Sequence, residues 1–177
     1  MNILFLGHSL IEFFDWQSRF PGHNVVNLGV AGESVEGLLF RLDGITKAYP
    51  EVDLIFIMTG INNIAMEDFD FLDSYRDIIL RLSAAYPKAR VFIHSLFPVM
   101  VDFIDNKSIL NANDRIKALA GTTGVEFMDL HNLFIDNQGR PVKDYFLDDG
   151  VHLSDKGYDV WSEALEEIIN GHVPSSF

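Results

Sequence analysis

The sequence contains no cysteine. That excludes disulfides, thiolate nucleophiles and cysteine-ligated metals. Cations are scarce: 13 Lys and Arg stand against 26 Asp and Glu in 177 residues, a formal net charge of −13. A chain with this balance is not expected to bind nucleic acid, whose affinity rests on neutralising phosphates with Lys and Arg. Electrostatic attachment to anionic membranes is excluded on the same ground, and the surplus acid reads as a solubility feature. No apolar run approaches the roughly 18 residues that a spanning helix needs, so no membrane insertion is expected. The leading MNILFL is too short and too uncharged for a signal peptide and runs straight into a Gly-His-Ser turn. It reads as a first strand, and the expected location is cytoplasmic. Phosphate loops of the GxxxxGK[ST] or GxGxxG kind are missing, which leaves a receiver or nucleotide-binding reading without support. Also missing are a His pair at i, i+4 and a Gly-x-Ser-x-Gly elbow.

What is present is an ordinary globular balance, 48% hydrophobic and 22% charged. The length favours a single domain over residues 1–177. Five short runs rich in Val, Ile, Leu and Phe lack clean alternation: 2–6, 24–28, 53–58, 90–94 and 125–130. Strands buried on both faces look like this. Between them, helical periodicity covers 34–49, 71–86, 108–122 and 154–170. Leu72, Tyr75, Ile79 and Leu82 form one stripe, and Val160, Trp161, Ala164, Leu165 and Ile168 another. Alternating strands and helices predict an α/β fold with a parallel sheet covered on both sides. Ligands in such folds bind beyond the carboxyl ends of the strands. Two longer loops, 98–107 and 131–148, both follow strands and belong to that edge.

Four segments carry chemistry. Asp149 and His152 lie three residues apart in DDGVHLSDKGY. One turn lets the carboxylate accept the imidazole Nδ1–H, which leaves Nε2 free as a base. Ser9 follows the first strand in LFLGHSL, where it is either a nucleophile or a helix N-cap. Gly29, in NLGVAG after the second strand, offers a bare backbone N–H or is an ordinary turn residue. Asn62, in TGINN after the third strand, donates to an oxyanion or bonds its own turn.

The order Ser, Gly, Asn, His, each on a strand-end loop, resembles the SGNH hydrolases, also called the GDSL esterase/lipase family. The similarity runs from Gly7 to Tyr158, and DGVHLSDKGY is its most specific part. The resemblance implies a flavodoxin-like three-layer α/β/α sandwich with a five-stranded parallel sheet, in agreement with the strand count above. It implies Ser9 as nucleophile, His152 as general base and then acid, and Asp149 as the group that orients His152. It implies an oxyanion hole of the Ser9 N–H, the Gly29 N–H and the Asn62 side chain. The implied reaction is hydrolysis of esters or thioesters of small molecules, without metal or organic cofactor.

Two positions depart from the family pattern. His8 stands where the family has Asp in Gly-Asp-Ser, and Asn63 where it has Asp in Gly-x-Asn-Asp. In a flavodoxin-like strand order the first and third strands are neighbours, so His8 and Asn63 are expected to interact across that gap. His8, Leu10, Asn63, Phe97, Met100 and Phe103 are the candidates for shaping the substrate site. His94 and His131 end or follow strands and read as packed or loop residues. Short strand-end loops leave little material for a deep lipid tunnel, which favours short acyl esters such as acetates. A lysophospholipase or thioesterase is the alternative, and a non-catalytic binding domain is the reading from a different class.

Overall fold

The computed structural model describes residues 1–171. Its five strands are β1 (Asn2–Gly7), β2 (Asn24–Gly29), β3 (Leu54–Met58), β4 (Arg90–His94) and β5 (Glu126–Met128). They form one all-parallel sheet in the order β2-β1-β3-β4-β5. All five residues of β3 are buried, and β1 is buried from Leu4 onward with Ile3. That explains the unbroken apolar runs read in the sequence.

Alternation along the strands divides the core into two faces. On one face Phe5, Phe56 and Phe92 stand in register across β1, β3 and β4. Their rings stack at 5.0 and 5.2 Å. Trp16 stacks on Phe5 at 4.1 Å, and Trp161 meets Trp16 edge-on at 4.9 Å. Such pairs add directional preference to burial that the hydrophobic effect already favours. Trp16 lies on α2 (Trp16–Arg19) and Trp161 on α7 (Asp155–Ile169). The longer helices α3 (Val35–Ala48), α5 (Leu72–Ala85) and α6 (Asn106–Thr123) pack in sequence on one another. Helix and strand stripes thus end in one continuous core, as patterned.

The four long helices match the periodic segments to within two residues at each end. Three short ones were not legible as periodicity: α1 (Ser9–Glu12), α2, and α4 (Ile61–Ala65). Four or five residues are too few to show a 3.6-residue repeat. The 131–148 segment contains two single-turn 3-10 helices, His131–Phe134 and Lys143–Tyr145. No helix among the described residues is long and apolar enough to cross a membrane.

Candidate active site

In this strand order β1 is flanked by β2 and β3, so the chain reverses direction of travel across the sheet at β1. The crevice beyond the carboxyl ends at such a switch is where open α/β sheets take ligands. The loops after β1, β2, β3 and β4, and the segment after β5, all meet there.

Ser9 is the first residue of α1, directly after β1. His8 is the N-cap, with Nδ1 accepting from the Leu10 N–H at 3.5 Å. The cap role read as an alternative for Ser9 is therefore filled by His8, and the Ser9 hydroxyl is left for other work. Ser9 Oγ lies 3.0 Å from His152 Nε2, and His152 Nδ1 lies 2.6 Å from Asp149 Oδ2. A hydroxyl, an imidazole and a carboxylate are in hydrogen-bonded series, a geometry suited to activating a hydroxyl.

The Asp149 carboxylate is held from three sides. Its Oδ1 accepts from the N–H groups of Val151 and His152, both at 2.9 Å. Burial pushes its pKa up, but the His152 and Val151 N–H groups and the imidazole outweigh that, and the carboxyl settles at about 2. It is an ionised acceptor at any ordinary pH. The segment that carries it closes through the Leu147 N–H to His152 carbonyl bond at 2.8 Å and the Phe146–Leu153 bridge. Gly150 turns the chain at φ +69°, where an added Cβ would stand 3.0 Å from Met100 Cβ.

Donors for an oxyanion surround Ser9. The Ser9 N–H has no acceptor among the described residues. Asn62 on α4 gives one amide hydrogen to the Glu33 carbonyl at 2.9 Å and lines the crevice. Glu33 is itself clamped by Arg41, with bonds of 2.6 and 2.7 Å, and Arg41 also reaches the Leu28 carbonyl. Gly29, expected here from the sequence, is not placed for the task. It is the last residue of β2, its N–H donates to Asn27 Oδ1 at 3.0 Å, and it does not line the crevice. Gly32, three residues on in the same NLGVAG block, lines the crevice and its N–H has no acceptor among the described residues. The signal that separates the two glycines is where β2 ends. A strand-end residue is committed to the sheet edge and a loop residue is not.

The expected contact between His8 and Asn63 does not form. His8 is buried and its Nε2 has no partner among the described residues. Asn63 instead ties α4 to its surroundings: Nδ2 donates to Glu36 Oε2 and Asp68 Oδ2 at 2.8 and 2.9 Å, and Oδ1 accepts from the Val35 N–H at 3.0 Å. These partners lie in the first turn of α3 and just after α4, so the residue serves the scaffold rather than the crevice. Burial first, and the charge of His152 second, push the His8 imidazole down to about 4.

The crevice has a volume of about 340 Å³. His8, Leu10, Phe97 and Phe103 line it as expected, but Met100 and Asn63 do not. Met100 lies against the segment that carries Asp149 and His152 instead, its N–H donating to the Gly150 carbonyl at 2.7 Å. Neither His94 nor His131 reaches the crevice. His94 is packed among Phe56 and Trp161, and His131 Nδ1 bonds the Leu96 carbonyl at 2.9 Å. Sequence reading missed Ile61, Ala65, Leu96, Val99, Ile104 and Val151, all of which line it. Apolar residues in loops, or in a helix as short as α4, carry no periodic signal. Among the described residues no group of three or more His, Asp or Glu side chains is placed to hold a metal ion.

Residues 11–160 match the GDSL-like lipase/acylhydrolase family. Platelet-activating factor acetylhydrolase IB subunit alpha1 from Rattus norvegicus is 24% identical over 175 residues, spanning 95% of this chain and 75% of that protein. A solved protein from Streptococcus pneumonia, named for platelet activating factor, is 31% identical with a TM-score of 0.86, covering 95% of this chain and 83% of its own. An acetyl xylan esterase variant from Geobacillus stearothermophilus shares the fold at a TM-score of 0.76 and 19% identity, covering 99% and 97% of the two chains.

Proposed function

The chain belongs to the GDSL-like lipase/acylhydrolase family, a family of carboxylic ester hydrolases, and on that premise we propose that it hydrolyses esters through Ser9, His152 and Asp149. The observation that carries this reading is the unbroken series from Ser9 Oγ to His152 Nε2 at 3.0 Å and from His152 Nδ1 to Asp149 Oδ2 at 2.6 Å. Ser9 Oγ attacks the ester carbonyl while His152 Nε2 takes its proton. The tetrahedral oxyanion is held by the N–H groups of Ser9 and Gly32 and by the second amide hydrogen of Asn62. His152 then protonates the leaving alcohol, and water repeats the cycle through the acyl-enzyme to release the acid. Asp149 stays ionised and fixes the imidazole tautomer.

Acetyl esters meet every requirement of this cycle and are the substrates expected from the sequence. Two similar proteins carry acetyl in their names, as acetylhydrolase and acetyl xylan esterase. A lysophospholipase or thioesterase is the second reading. It is favoured by the apolar character of the crevice, where the only polar side chains among the described residues are His8, Ser9, Asn62 and His152. A non-catalytic binding domain has no need of a hydrogen-bonded Ser-His-Asp series and is not favoured by any feature of the site.

The test is turnover of p-nitrophenyl acetate by the wild type and by Ser9→Ala. Removing a nucleophile that acts as a unit with its base costs on the order of 10⁶ in kcat. The variant should therefore be indistinguishable from buffer. Activity within tenfold of wild type would contradict the assignment.

A further inference from the structure

The crevice has a direction, and it extends well beyond an acetyl group. We infer that its α4 end is an acyl groove, and that the preferred substrates are esters of medium-length saturated acids rather than acetates. This rests on the proposed roles of Ser9 and His152. The leaving alcohol must lie where His152 Nε2 can protonate it, on the side occupied by Phe13 and Val151. The Phe13 ring lies 5.3 Å from the imidazole and tilts over it. The oxyanion takes the direction of Asn62 and Gly32. The acyl substituent is left with the third direction, between α4 and the segment that joins β4 to α6.

That third direction is wholly apolar. Ile61 and Ala65 of α4 form one wall, and Leu96, Val99 and Ile104 the other, and among the described residues no Asp, Glu, Lys or Arg lines any part of the crevice. Leu96, Val99, Ile61 and Ile104 are buried, whereas Ala65 is exposed and Phe103 is 74% exposed at the outer end. The groove therefore has a closed floor and an open mouth. A total of about 340 Å³ is at the lower end of the range that encloses a drug-sized ligand, enough for an acyl chain of about four to eight carbons beside a small alcohol.

The wall is built in advance. The segment has no regular structure, yet side-chain amides hold it at two points as a neighbouring strand would. Asn113 accepts from the Leu96 N–H at 2.7 Å and donates to the Leu96 carbonyl at 2.9 Å. Asn106 accepts from the Val99 N–H at 2.9 Å and donates to the Val99 carbonyl at 2.8 Å. The Met100 N–H bond to Gly150 fixes a third point and joins this wall to the segment carrying His152. A groove held this way needs no ordering when an apolar chain enters, so burial of each methylene counts towards binding. Short strand-end loops are expected to leave little material for a deep lipid tunnel; the β4–α6 segment folds inward and supplies the wall of a shorter groove.

The experiment is a series of p-nitrophenyl esters from acetyl to dodecanoyl, with kcat/KM measured for wild type, Ala65→Trp and Phe103→Ala. In the wild type kcat/KM should rise by about three- to fourfold per methylene up to hexanoyl or octanoyl, as buried methylenes do, and then level off. Ala65→Trp fills the groove and should lower the hexanoyl-to-acetyl ratio at least tenfold. Phe103→Ala, at the exposed mouth, should lower the same ratio by a few-fold. Methyl hexanoate should be preferred to hexyl acetate, because the chain belongs on the acyl side. A maximum at acetyl, or a ratio unmoved by both variants, would overturn the groove while leaving the serine mechanism standing. Loss of Ser9 dependence across the whole series would overturn the mechanism instead.

Discussion

At the scale of residues, the site separates groups that act from groups that hold them. Asn62 has one hydrogen committed to the Glu33 carbonyl and one free for the oxyanion. Asn62→Ala should reduce kcat by about 10²–10³, the usual cost of one oxyanion donor, with little change in KM. A loss under threefold would remove Asn62 from the hole. Two buried imidazoles make a separate prediction about stability. Burial pushes His8 down to about 4 and His94 down to about 3. Unfolded, both take up protons near their ordinary value of about 6.5. The unfolded chain therefore binds more protons below that pH, so their contribution is fully present above about pH 6.5 and is lost as pH falls towards 4 and 3. Each contributes a slope of up to about 1.4 kcal/mol per pH unit. His94→Phe should flatten the fall in urea stability between pH 6.5 and 4.5, whatever its offset at pH 7; an unchanged slope would contradict this. The Asp149–His152 pair was legible because Asp-x-x-His needs only one local turn. The choice between Gly29 and Gly32 was not, since it hangs on the residue at which β2 stops. Nor was the fate of Asn63, whose partners Glu36 and Asp68 come from elsewhere in the chain.

At the scale of elements, DDGVHLSDKGY does more than supply a base. Ser154 caps α7, accepting from the Gly157 N–H at 3.2 Å, and its hydroxyl donates to the Asp144 carbonyl at 2.7 Å. Gly157 lets the first turn of α7 approach Tyr145, because a Cβ there would stand 2.3 Å from the Tyr145 carbonyl oxygen. Tyr158 then donates its hydroxyl to the Leu10 carbonyl at 3.0 Å and ties α7 to the helix that carries Ser9. Gly157→Ala should cost about 1–3 kcal/mol, the range for forcing atoms into a filled space. Tyr158→Phe should cost about 1–3 kcal/mol by leaving a buried carbonyl without its donor. Chemical denaturation of the two variants measures both, and neutral effects would mean that α7 is not anchored as described. Strands and long helices were legible because burial on both faces and helical stripes repeat over many residues. The four- and five-residue helices α1 and α4, which present Ser9 and Asn62, repeat nothing and emerged only from the fold.

At the scale of the whole molecule, acidity and function are kept apart. The chain carries a formal charge of −13, yet among the described residues no Asp, Glu, Lys or Arg lines the crevice. For a neutral ester, kcat/KM should change by less than about twofold between low and high salt, since screening acts on charges that the substrate does not meet. A steep salt dependence would place charged groups in the reaction path. The sheet order explains why residues as far apart in sequence as Ser9 and His152 meet: β1 lies inside the sheet between β2 and β3, and every loop that follows a strand opens on the same edge. That convergence could be read from strand–helix alternation alone, whereas the volume and lining of the crevice depend on an irregular segment whose inward path no pattern announces. The central claim, that Ser9 is a nucleophile activated by His152, is tested most directly by a fluorophosphonate probe followed by peptide mass spectrometry. A single adduct on Ser9, lost in His152→Ala, is the predicted result; an unlabelled protein, or an adduct on another residue, would contradict it.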